Sequence, residues 1–333
     1  MSNDQLRYFC YEHSLDPNGT SVVLKKRLQH FLLRYRHKYT DKNSMFPTGT
    51  PPKMDQSAIS SRPFDFIPLD NEADSVIIEP SYENRYLLII DLECTCESQG
   101  SHRNGGVDYD HEIIEFPILL YDSDKQSVIS IFHAFCKPVK NPKLTNFCTN
   151  LTGITEERLE DALTFPELFL KIEHWIYNEC GLKDDQFIVV CDCNADMGKF
   201  MRIQCHISRM DMPSWSKKWC NLSRHFCEFY AIPKKRVMPL GDMIRHLEIP
   251  FFGSQHRALD DCTNILRVME TLLRDGCKIR KDEQYCNQRP HFCCPIPKNL
   301  PKPSLEEEKP EITDADREQL LSLLNMKKAR VVV

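Results

Sequence analysis

Five side chains of this sequence have the types and the spacing that metal-assisted chemistry requires. Asp91 and Glu93 close the apolar run YLLII, and because side chains along a strand alternate between its two faces, both carboxylates are predicted to point the same way. Two like charges this close repel each other unless a cation lies between them. Asp196 follows another apolar run, and His256 stands five residues before Asp261 at the start of a predicted helix. Taken alone, the first pair would more often be solvated acids at a strand end.

The four acids are expected to meet in one cleft, because each lies at an end of an element that flanks the same predicted sheet. Hard divalent cations prefer oxygen ligands, and three or four carboxylates around phosphate oxygens suit Mg²⁺ or Mn²⁺. Two such ions about 3.5–4 Å apart activate a water and stabilise the leaving oxygen of an in-line displacement. A histidine at the rim of this cleft is then a candidate general base, since imidazole accepts a proton near neutral pH.

The elements that must position these residues are predicted from the hydrophobic pattern. Short apolar runs bounded by turn residues predict strands, and the first three of them are expected to form an antiparallel meander. The predicted strands are 86–93, 111–120, 128–136 and 186–192. Apolar residues at one-turn spacing predict helices. The predicted helices are 2–14, 21–39, 164–175, 197–209, 240–247 and 256–273.

Composition divides the 333 residues into four parts, and their 41% hydrophobic content is enough for one large domain with accessories. Residues 1–40 are predicted to form a helical hairpin. The Pro-, Ser- and acid-rich stretch 41–83 is predicted to be a flexible linker. Residues 84–280 form the main domain, and 281–333 form an irregular, Pro-rich tail with a short helix at 314–328.

Net charge and apolar pattern exclude several classes of protein. A formal net charge of −5 excludes a globally basic nucleic-acid coat, so any such contact must use local patches. No apolar run reaches the length of a membrane span, and the N-terminus MSNDQLRYFC has no secretory pattern. Neither a membrane partner nor secretion is therefore expected. The 16 cysteines are predicted to be reduced and mostly buried.

Two local basic patches are candidates for nucleic-acid contact. Lys25, Lys26 and Arg27 lie on the second predicted helix, and residues 1–42 hold eight Lys and Arg against four Asp and Glu, a local charge of +4. Lys217 and Lys218 begin a basic section whose aromatic residues could stack on bases. The alternatives stay open: these cations would also serve to keep a surface soluble, and the aromatics would also fit a core.

The order of the five chemical residues resembles a known family. Asp91 and Glu93, then Asp196, then His256 and Asp261 match the DxE, Asp and H-x4-D signature of the DEDDh (DnaQ-like) three-prime-to-five-prime exonucleases. Further stretches are similar to the histone-mRNA three-prime exoribonucleases of the RNA-interference-enhancer type within that family. These stretches are IIDLECTCE, HEIIEFPILL, LTGIT, HRALDD and the SAP-like LKKRLQHFL.

The resemblance implies a fold and a role for each matched residue. The fold is α/β, an RNase H-like mixed five-stranded sheet flanked by helices, plus a small N-terminal helical SAP-like module over residues 1–40. The four acids would hold two Mg²⁺ ions, with Mn²⁺ as a substitute, and His256 would deprotonate the attacking water. Glu93, Cys94 and His256 would contact the terminal nucleotide. Two departures stand out: Cys94 replaces the usual Ala, and Ala195 replaces an aromatic residue before Asp196.

The implied activity is removal of nucleoside 5′-monophosphates from RNA 3′ ends. Expected substrates are histone mRNA stem-loops, small interfering RNA duplexes with 3′ overhangs and ribosomal RNA precursors. A stem-loop-binding protein and ribosomal subunits are the implied partners, and the cytoplasm and nucleus, with the nucleolus, are the implied locations. Two other hypotheses remain: an exonuclease for DNA or short oligonucleotides with the same site, and an RNA-binding scaffold whose catalysis has decayed. The presence of all five motif residues argues against decay.

Overall fold

The computed structural model describes residues 2–35, 85–97, 110–233, 238–285 and 294–295 of the chain. The predicted linker at 41–83 and the predicted tail helix at 314–328 lie outside these residues. None of the described helices is both long and apolar enough to cross a membrane.

The chain divides into two compact units, each built from more than one segment. We call them the sheet unit and the helical unit. The sheet unit comprises Asn84–Asn221, Gly253–Thr263 and Arg280–Val333, and the helical unit comprises Met1–Glu83, Leu222–Phe252 and Asn264–Ile279.

The sheet unit contains one mixed sheet. Its strands are β1 (Tyr86–Ile90), β2 (Glu93–Cys94), β3 (Ile113–Asp122), β4 (Ser127–Lys137), β5 (Leu163–Thr164), β6 (Phe187–Cys191), β7 (Lys218–Asn221), β8 (Glu283–Gln284) and β9 (Cys294–Pro295). Their order is β5-β4-β3-β1-β6-β7-β8-β9, and β2 also pairs with β3. The meander is confirmed, because β3 runs antiparallel to both β1 and β4, while β6 runs parallel to β1 and β7.

The predicted five-stranded mixed sheet corresponds to β4-β3-β1-β6-β7, and the other described strands are two residues long. Strands β3 and β6 are buried along their whole length, as expected for central strands covered on both faces. The short β8 extends the sheet beyond residue 280, where we had expected the irregular tail to begin.

The strand predicted over 86–93 is interrupted at Asp91 and Leu92, between β1 and β2. β1 ends at Ile90 and pairing resumes at Glu93 with the register unchanged, from Ile90 opposite Ile118 to Glu93 opposite Glu115. That register puts Pro117, which has no N–H group to donate, opposite Asp91. From this position β3 therefore cannot donate a backbone hydrogen bond to Asp91, and Asp91 and Leu92 lie between the two strands.

Helices cover the sheet and connect its strands. They are α3 (Asn146–Thr152), α4 (Glu156–Leu159), α5 (Phe165–His174) with a π-helical turn at Trp175–Glu179, a second π-helical turn at Asp196–Met201, and α6 (Arg202–Ile207). Thr164 and Glu167 form a capping box at the start of α5, as their spacing predicts. The turn in LTGIT is confirmed, since Gly153 ends α3 in the left-handed region with φ of 70°.

The helical unit contains α1 (Asn3–Glu12), α2 (Ser21–Tyr35), α7 (Leu222–Phe229), α8 (Leu240–Leu247) and the part of α9 (Ala258–Asp275) from Asn264 onward. Leu6, Cys10 and Leu24 form the buried contact between α1 and α2. The predicted hairpin is thus present, and the identity of residues 1–40 as a SAP-like module stays a prediction.

The hairpin is bonded to other segments of the helical unit, which the sequence did not indicate. The N–H of Thr20 donates to the carbonyl oxygen of His246 at 2.9 Å. Arg27 makes two hydrogen bonds to the carboxylate of Asp275, at 2.7 and 2.9 Å. We had expected a hairpin separated from the rest by a linker, and the structure instead shows it as one layer of this unit.

Candidate active site

The five residues of the motif lie at the ends of four adjacent elements of the sheet unit. Asp91 directly follows β1, and Glu93 begins β2. Asp196 begins the π-helical turn that follows β6. His256 precedes α9, and Asp261 lies in its first turn. Because β1 and β6 are parallel, their carboxyl ends share one edge of the sheet, and the acids gather there.

Two separate groups of possible ligand atoms form at this edge. In the first, one ligand atom each from Glu93, His256 and Asp261 lies within 4.8 Å of the other two. In the second, Asp196 lies within the same distance of Asp192 and Cys193. Asp91 belongs to neither group, but the charges of Asp196, Asp192, Glu93 and Asp261 all act on its carboxyl.

The break between β1 and β2 links these groups. The N–H of Leu92, freed from the ladder, donates to Oδ1 of Asp196 at 3.0 Å. This bond ties the strand that carries Asp91 and Glu93 to the turn that carries Asp196. The bond thus holds the Asp196 carboxylate at the backbone between Asp91 and Glu93.

Burial raises the pKa of every carboxyl in the site. It places the pKa values of Asp91 and Asp196 well above their usual range, and repulsion from neighbouring carboxylates adds to the rise. Burial, with repulsion from Asp261, raises the pKa of Glu93 to about 9. Burial raises the pKa of Asp261 to about 6, and the hydrogen bond from the His256 N–H partly offsets this rise.

This donor set fits divalent metal ions. Burying several carboxylates together without a counterion is costly, and their raised pKa values express that cost. The donors are mainly carboxylate oxygens, which Mg²⁺ and Mn²⁺ prefer, and no cysteine belongs to the group formed by Glu93, His256 and Asp261.

The loop before α9 fixes His256 above the cluster. His256 is exposed and adopts the left-handed region with φ of 63°. Its N–H donates to Oδ2 of Asp261 at 2.7 Å, and the Ser254 N–H donates to Oδ2 of Asp260 at 3.0 Å. A Cβ atom at Gly253 would lie 2.4 Å from the Asp260 carboxylate, so only glycine fits there. The two adjacent acids thus have different roles: Asp261 belongs to the carboxylate cluster, and Asp260 stabilises the loop before α9.

The HEIIEF stretch supports the site from β3. Glu115 lies opposite Glu93 in the ladder, and its Oε1 lies 2.7 Å from Nε2 of His133. Glu112 is buried and its carboxylate accepts three backbone N–H groups from residues 139–141 at 2.6 to 3.0 Å. Glu112 therefore organises a loop, whereas Glu115 adds negative charge beside Glu93.

The two departures from the family pattern occupy different environments. Cys94 is buried in the main core, and its carbonyl oxygen accepts the thiol of Cys148 at 3.6 Å. Ala195 is partly exposed, and its N–H donates to the Sγ atom of Cys193 at 3.4 Å. Contact between Cys94 and a nucleotide stays a prediction.

Lys217 and Lys218, the predicted contacts of the sheet unit, are both exposed at the start of β7. Of the five Trp, Phe and Tyr residues in 214–236, four are buried and therefore unavailable for stacking on bases, and Phe229 is partly buried. Trp215 and Trp219 are buried in the core of the sheet unit, and Phe226 is buried in the helical unit. Of the two alternatives for these aromatics, the core is therefore the one that the structure supports.

The three predicted RNA-contact residues on α2 lie in different environments. Lys25 is exposed, and the ammonium of Lys26 lies 5.1 Å from the centre of the Phe229 ring. Arg27 is only 3% exposed and is bonded to Asp275, so its guanidinium faces the interior of the helical unit. As a correction, Arg27 is a structural residue in this fold rather than a surface cation, because its charge is already paired.

One further pair of polar residues lies beside the site and was not singled out from the sequence. The ammonium of Lys199 lies 3.3 Å from Nε2 of His111, and Nδ1 of His111 lies 2.8 Å from the carbonyl oxygen of Thr95. A sequence signal existed, since Lys199 stands three residues after Asp196 and His111 opens the HEIIEF stretch. Each residue alone is an ordinary surface residue, and only the fold brings them together.

Comparisons with known proteins agree with this geometry. The RNase_T family model, described as "Exonuclease", matches residues 88–269, which include all five motif residues. The chain is 32% identical to human "3′-5′ exoribonuclease 1" over 285 residues, covering 85% of this chain and 70% of the relative.

Two solved structures are similar to this one. The first, reporting "3′-end specific recognition of histone mRNA stem-loop by 3′-exonuclease", is 31% identical with a TM-score of 0.58, covering 66% of this chain and 93% of that chain. The second is the nuclease domain of 3′hExo, "a DEDDh family member, bound to rAMP". It is 34% identical with a TM-score of 0.55, covering 64% of this chain and 100% of that chain.

Proposed function

Because this chain belongs to the RNase T-type exonuclease family and is a 3′–5′ exoribonuclease, we propose that it trims structured RNA with two Mg²⁺ ions. The observation that carries this proposal is the convergence of Asp91, Glu93, Asp196 and Asp261 at one edge of the sheet, with His256 above them. The carboxylate oxygens favour Mg²⁺, and Mn²⁺ would substitute for it.

Each side chain would have a defined task. The four carboxylates would bind and orient two ions, and the ions would supply positive charge that stabilises the transition state and the leaving oxygen. The exposed His256 takes the proton of the attacking water, because its loop holds the imidazole beside Glu93 and Asp261. Attack at the last phosphodiester releases a nucleoside 5′-monophosphate.

The proposed substrates are RNAs with a stem and a short 3′ single strand. A solved relative recognises the 3′ end of a histone mRNA stem-loop, which makes this RNA the leading candidate. Small interfering RNA duplexes and ribosomal RNA precursors share the same features and are proposed as further substrates. The corresponding partners would be a stem-loop-binding protein and ribosomal subunits, in the cytoplasm, nucleus and nucleolus.

A direct assay tests the activity. The purified full chain is incubated with 5′-labelled single-stranded RNA, single-stranded DNA and a stem-loop RNA, each with Mg²⁺, with Mn²⁺ and with EDTA. We expect a ladder shortening from the 3′ end of both RNAs, with release of nucleoside 5′-monophosphates and complete loss of activity in EDTA.

The same assay separates the competing functions. Faster shortening of DNA than of RNA would identify a DNA exonuclease with this site. Preference for RNAs of a few nucleotides would identify a short-oligonucleotide enzyme. Tight RNA binding without any product in Mg²⁺ or Mn²⁺ would identify a decayed scaffold, and would overturn the proposal.

A further inference from the structure

Lys199 is a cation held close to the carboxylate cluster. It lies in the π-helical turn that Asp196 begins, within one turn of that residue. The neighbouring residues Asp196, Met197 and Gly198 are buried, whereas Lys199 is exposed. A long lysine side chain at such a position is normally mobile, and keeping it in one place costs conformational entropy.

Two rings restrain its ammonium group. The Nζ atom lies 3.3 Å from Nε2 of His111 and 5.1 Å from the centre of the Phe200 ring. His111 is itself fixed, because its Nδ1 lies 2.8 Å from the carbonyl oxygen of Thr95 and its ring packs edge-on against Phe200. The imidazole thus links the lysine to the strand segment that contains Glu93.

The chemistry of these contacts sets the tautomer of His111. A carbonyl oxygen only accepts, so Nδ1 of His111 must carry the hydrogen that reaches Thr95. An ammonium only donates, so Nε2 must offer a lone pair to Lys199. In this arrangement Nδ1 of His111 donates to Thr95, and Nε2 of His111 accepts from Lys199.

The position of this charge is beside the segment that carries the metal ligands. Thr95 follows Cys94, which follows Glu93. Lys199 therefore joins two segments that carry predicted ligands: the turn that Asp196 begins and, through His111, the segment that follows Glu93.

An RNA strand entering this site brings a phosphate for every nucleotide toward a group of carboxylates. The metal ions would neutralise the scissile phosphate. The adjoining phosphate would be neutralised by a separate cation. We propose that Lys199, oriented by His111, binds the phosphodiester next to the scissile bond in a single-stranded 3′ end. This subsite rests on the proposed exonuclease function and extends it by one nucleotide.

The contact would be with phosphate rather than with a base or a ribose hydroxyl. Lysine presents a compact charge without the planar fork that reads base edges. Such a contact positions the strand and carries no sequence information. Single-stranded DNA should therefore lose as much affinity as RNA when the lysine is removed.

The first test measures binding in a His256→Ala background, which keeps all four carboxylates and slows cleavage. Lys199→Met is compared with Lys183→Met, a matched loss of an exposed lysine in the turn before β6, at the opposite edge of the sheet. With Mg²⁺ and a short single-stranded RNA, Lys199→Met should weaken binding about tenfold, since a charge-assisted hydrogen bond is lost. The slope of log affinity against log salt should fall by about 0.7. Lys199→Arg should retain most of the affinity.

The second test locates the phosphate. Single-stranded RNAs carrying one neutral methylphosphonate linkage at a time are bound to the His256→Ala protein and to its Lys199→Met derivative. A methylphosphonate next to the scissile bond should weaken RNA binding to the His256→Ala protein. It should have little further effect on RNA binding to the Lys199→Met derivative. His111→Phe should weaken binding in the same direction, and the His111→Phe and Lys199→Met changes together should be no worse than Lys199→Met alone.

Two outcomes would overturn the assignment. The first is that Lys199→Met matches Lys183→Met in affinity and salt slope, and the second is that the methylphosphonate losses add to the Lys199→Met loss at every linkage. Equal melting temperatures for the two lysine variants exclude a folding defect as the cause of a difference. Failure of the exonuclease function itself is seen separately, because the unmodified chain would then leave RNA unshortened in Mg²⁺ and in Mn²⁺, whether or not it binds the RNA.

Discussion

The acids of this site differ from surface carboxylates in one physical respect: they are buried together. Burial and mutual repulsion raise the pKa values of Asp91, Glu93, Asp196 and Asp261. A cation among them removes the repulsion and restores their charged forms. Substitutions at these positions therefore test metal binding and catalysis together, while substitution of His256 tests proton transfer.

Asp91→Asn and Asp261→Asn should each abolish hydrolysis while RNA affinity stays within a few-fold of the unaltered protein. Each removes a ligand charge, and with it the stabilisation of charge in the transition state. Single-turnover hydrolysis and equilibrium binding of one labelled RNA measure the two effects. Asp185→Asn is the control, because this exposed acid precedes β6 at the opposite edge of the sheet. Full activity of either site variant in Mg²⁺ would refute the ligand assignment.

His256→Ala should lower the rate of hydrolysis by about 10²–10⁴-fold at neutral pH, the usual cost of losing a general base. The defect should shrink as pH rises, because hydroxide then replaces the missing base. A pH–rate profile of both proteins measures this, with His206→Ala as the control for an exposed histidine on α6. An unaltered rate at neutral pH would make His256 a structural residue.

The elements of this protein place the site through irregular backbone rather than through regular strands and helices. The gap between β1 and β2 frees the Leu92 N–H for Asp196. A π-helical turn follows β6, and a loop with left-handed His256 precedes α9. Irregular backbone of this kind frequently marks functional sites. The α1–α2 hairpin, in contrast, is held by a buried ion pair.

Arg27→Met should destabilise the protein by about 3–5 kcal/mol, because it leaves the Asp275 carboxylate buried without its partner. Asp275 is 2% exposed and also accepts the hydroxyl of Tyr230 at 2.7 Å. Urea unfolding followed by circular dichroism measures the loss. Lys25→Met, an exposed change on the same helix, should alter stability by no more than about 0.5 kcal/mol.

Removing both charges provides the matching rescue. The pair Arg27→Met and Asp275→Leu should recover part of the stability, since no uncompensated charge remains. Equal urea midpoints for Arg27→Met and Lys25→Met would show that the ion pair contributes nothing to the helical unit.

Lys25→Gln combined with Lys26→Gln should weaken binding to a stem-loop RNA and reduce its salt dependence, because neutralised phosphates release counterions. Turnover of a short single strand should stay nearly the same if these lysines contact only the stem. Filter binding at several salt concentrations measures the first effect. This change is a cleaner probe than deletion of residues 1–40, which would also leave Asp275 unpaired. Equal losses on both RNAs would contradict a separate stem contact.

For the molecule as a whole, the carboxylate cluster links metal binding, pH and stability. The pKa of Asp261 rises from 3.8 to about 6, and that of Glu93 rises from 4.5 to about 9. A carboxyl whose pKa is raised by folding favours the folded state while it is protonated. That contribution is complete below about pH 4 and is lost as pH rises through about 6 and then about 9.

The metal-free protein should therefore lose stability between pH 5.5 and 9 relative to a Glu93→Gln variant, which cannot ionise at this position. Mg²⁺ should reverse the loss, so the gap in melting temperature between Mg²⁺ and EDTA should widen as pH rises. Thermal unfolding at about pH 5.5, 7 and 9 measures both differences. A gap that narrows toward pH 9 would contradict the cluster as the metal site.

The amino-acid pattern alone determined much of this fold and the members of the site. Long apolar runs such as those of β3 and β6 can only be buried, so they predicted the central strands. The acids stood out because their spacing is that of a known motif. Local signals also sufficed for the capping box at Thr164 and the turn at Gly153.

Tertiary structure alone decided which polar residues face one another. Arg27 looked like the other cations of α2, but its partner Asp275 is 248 residues away in the sequence. His111 and Lys199 are 88 residues apart, and the bond from Leu92 to Asp196 spans 104. Helical and strand periodicity records only which face of an element is buried. The partner of a charge depends on how distant segments fold together, and no local pattern encodes that.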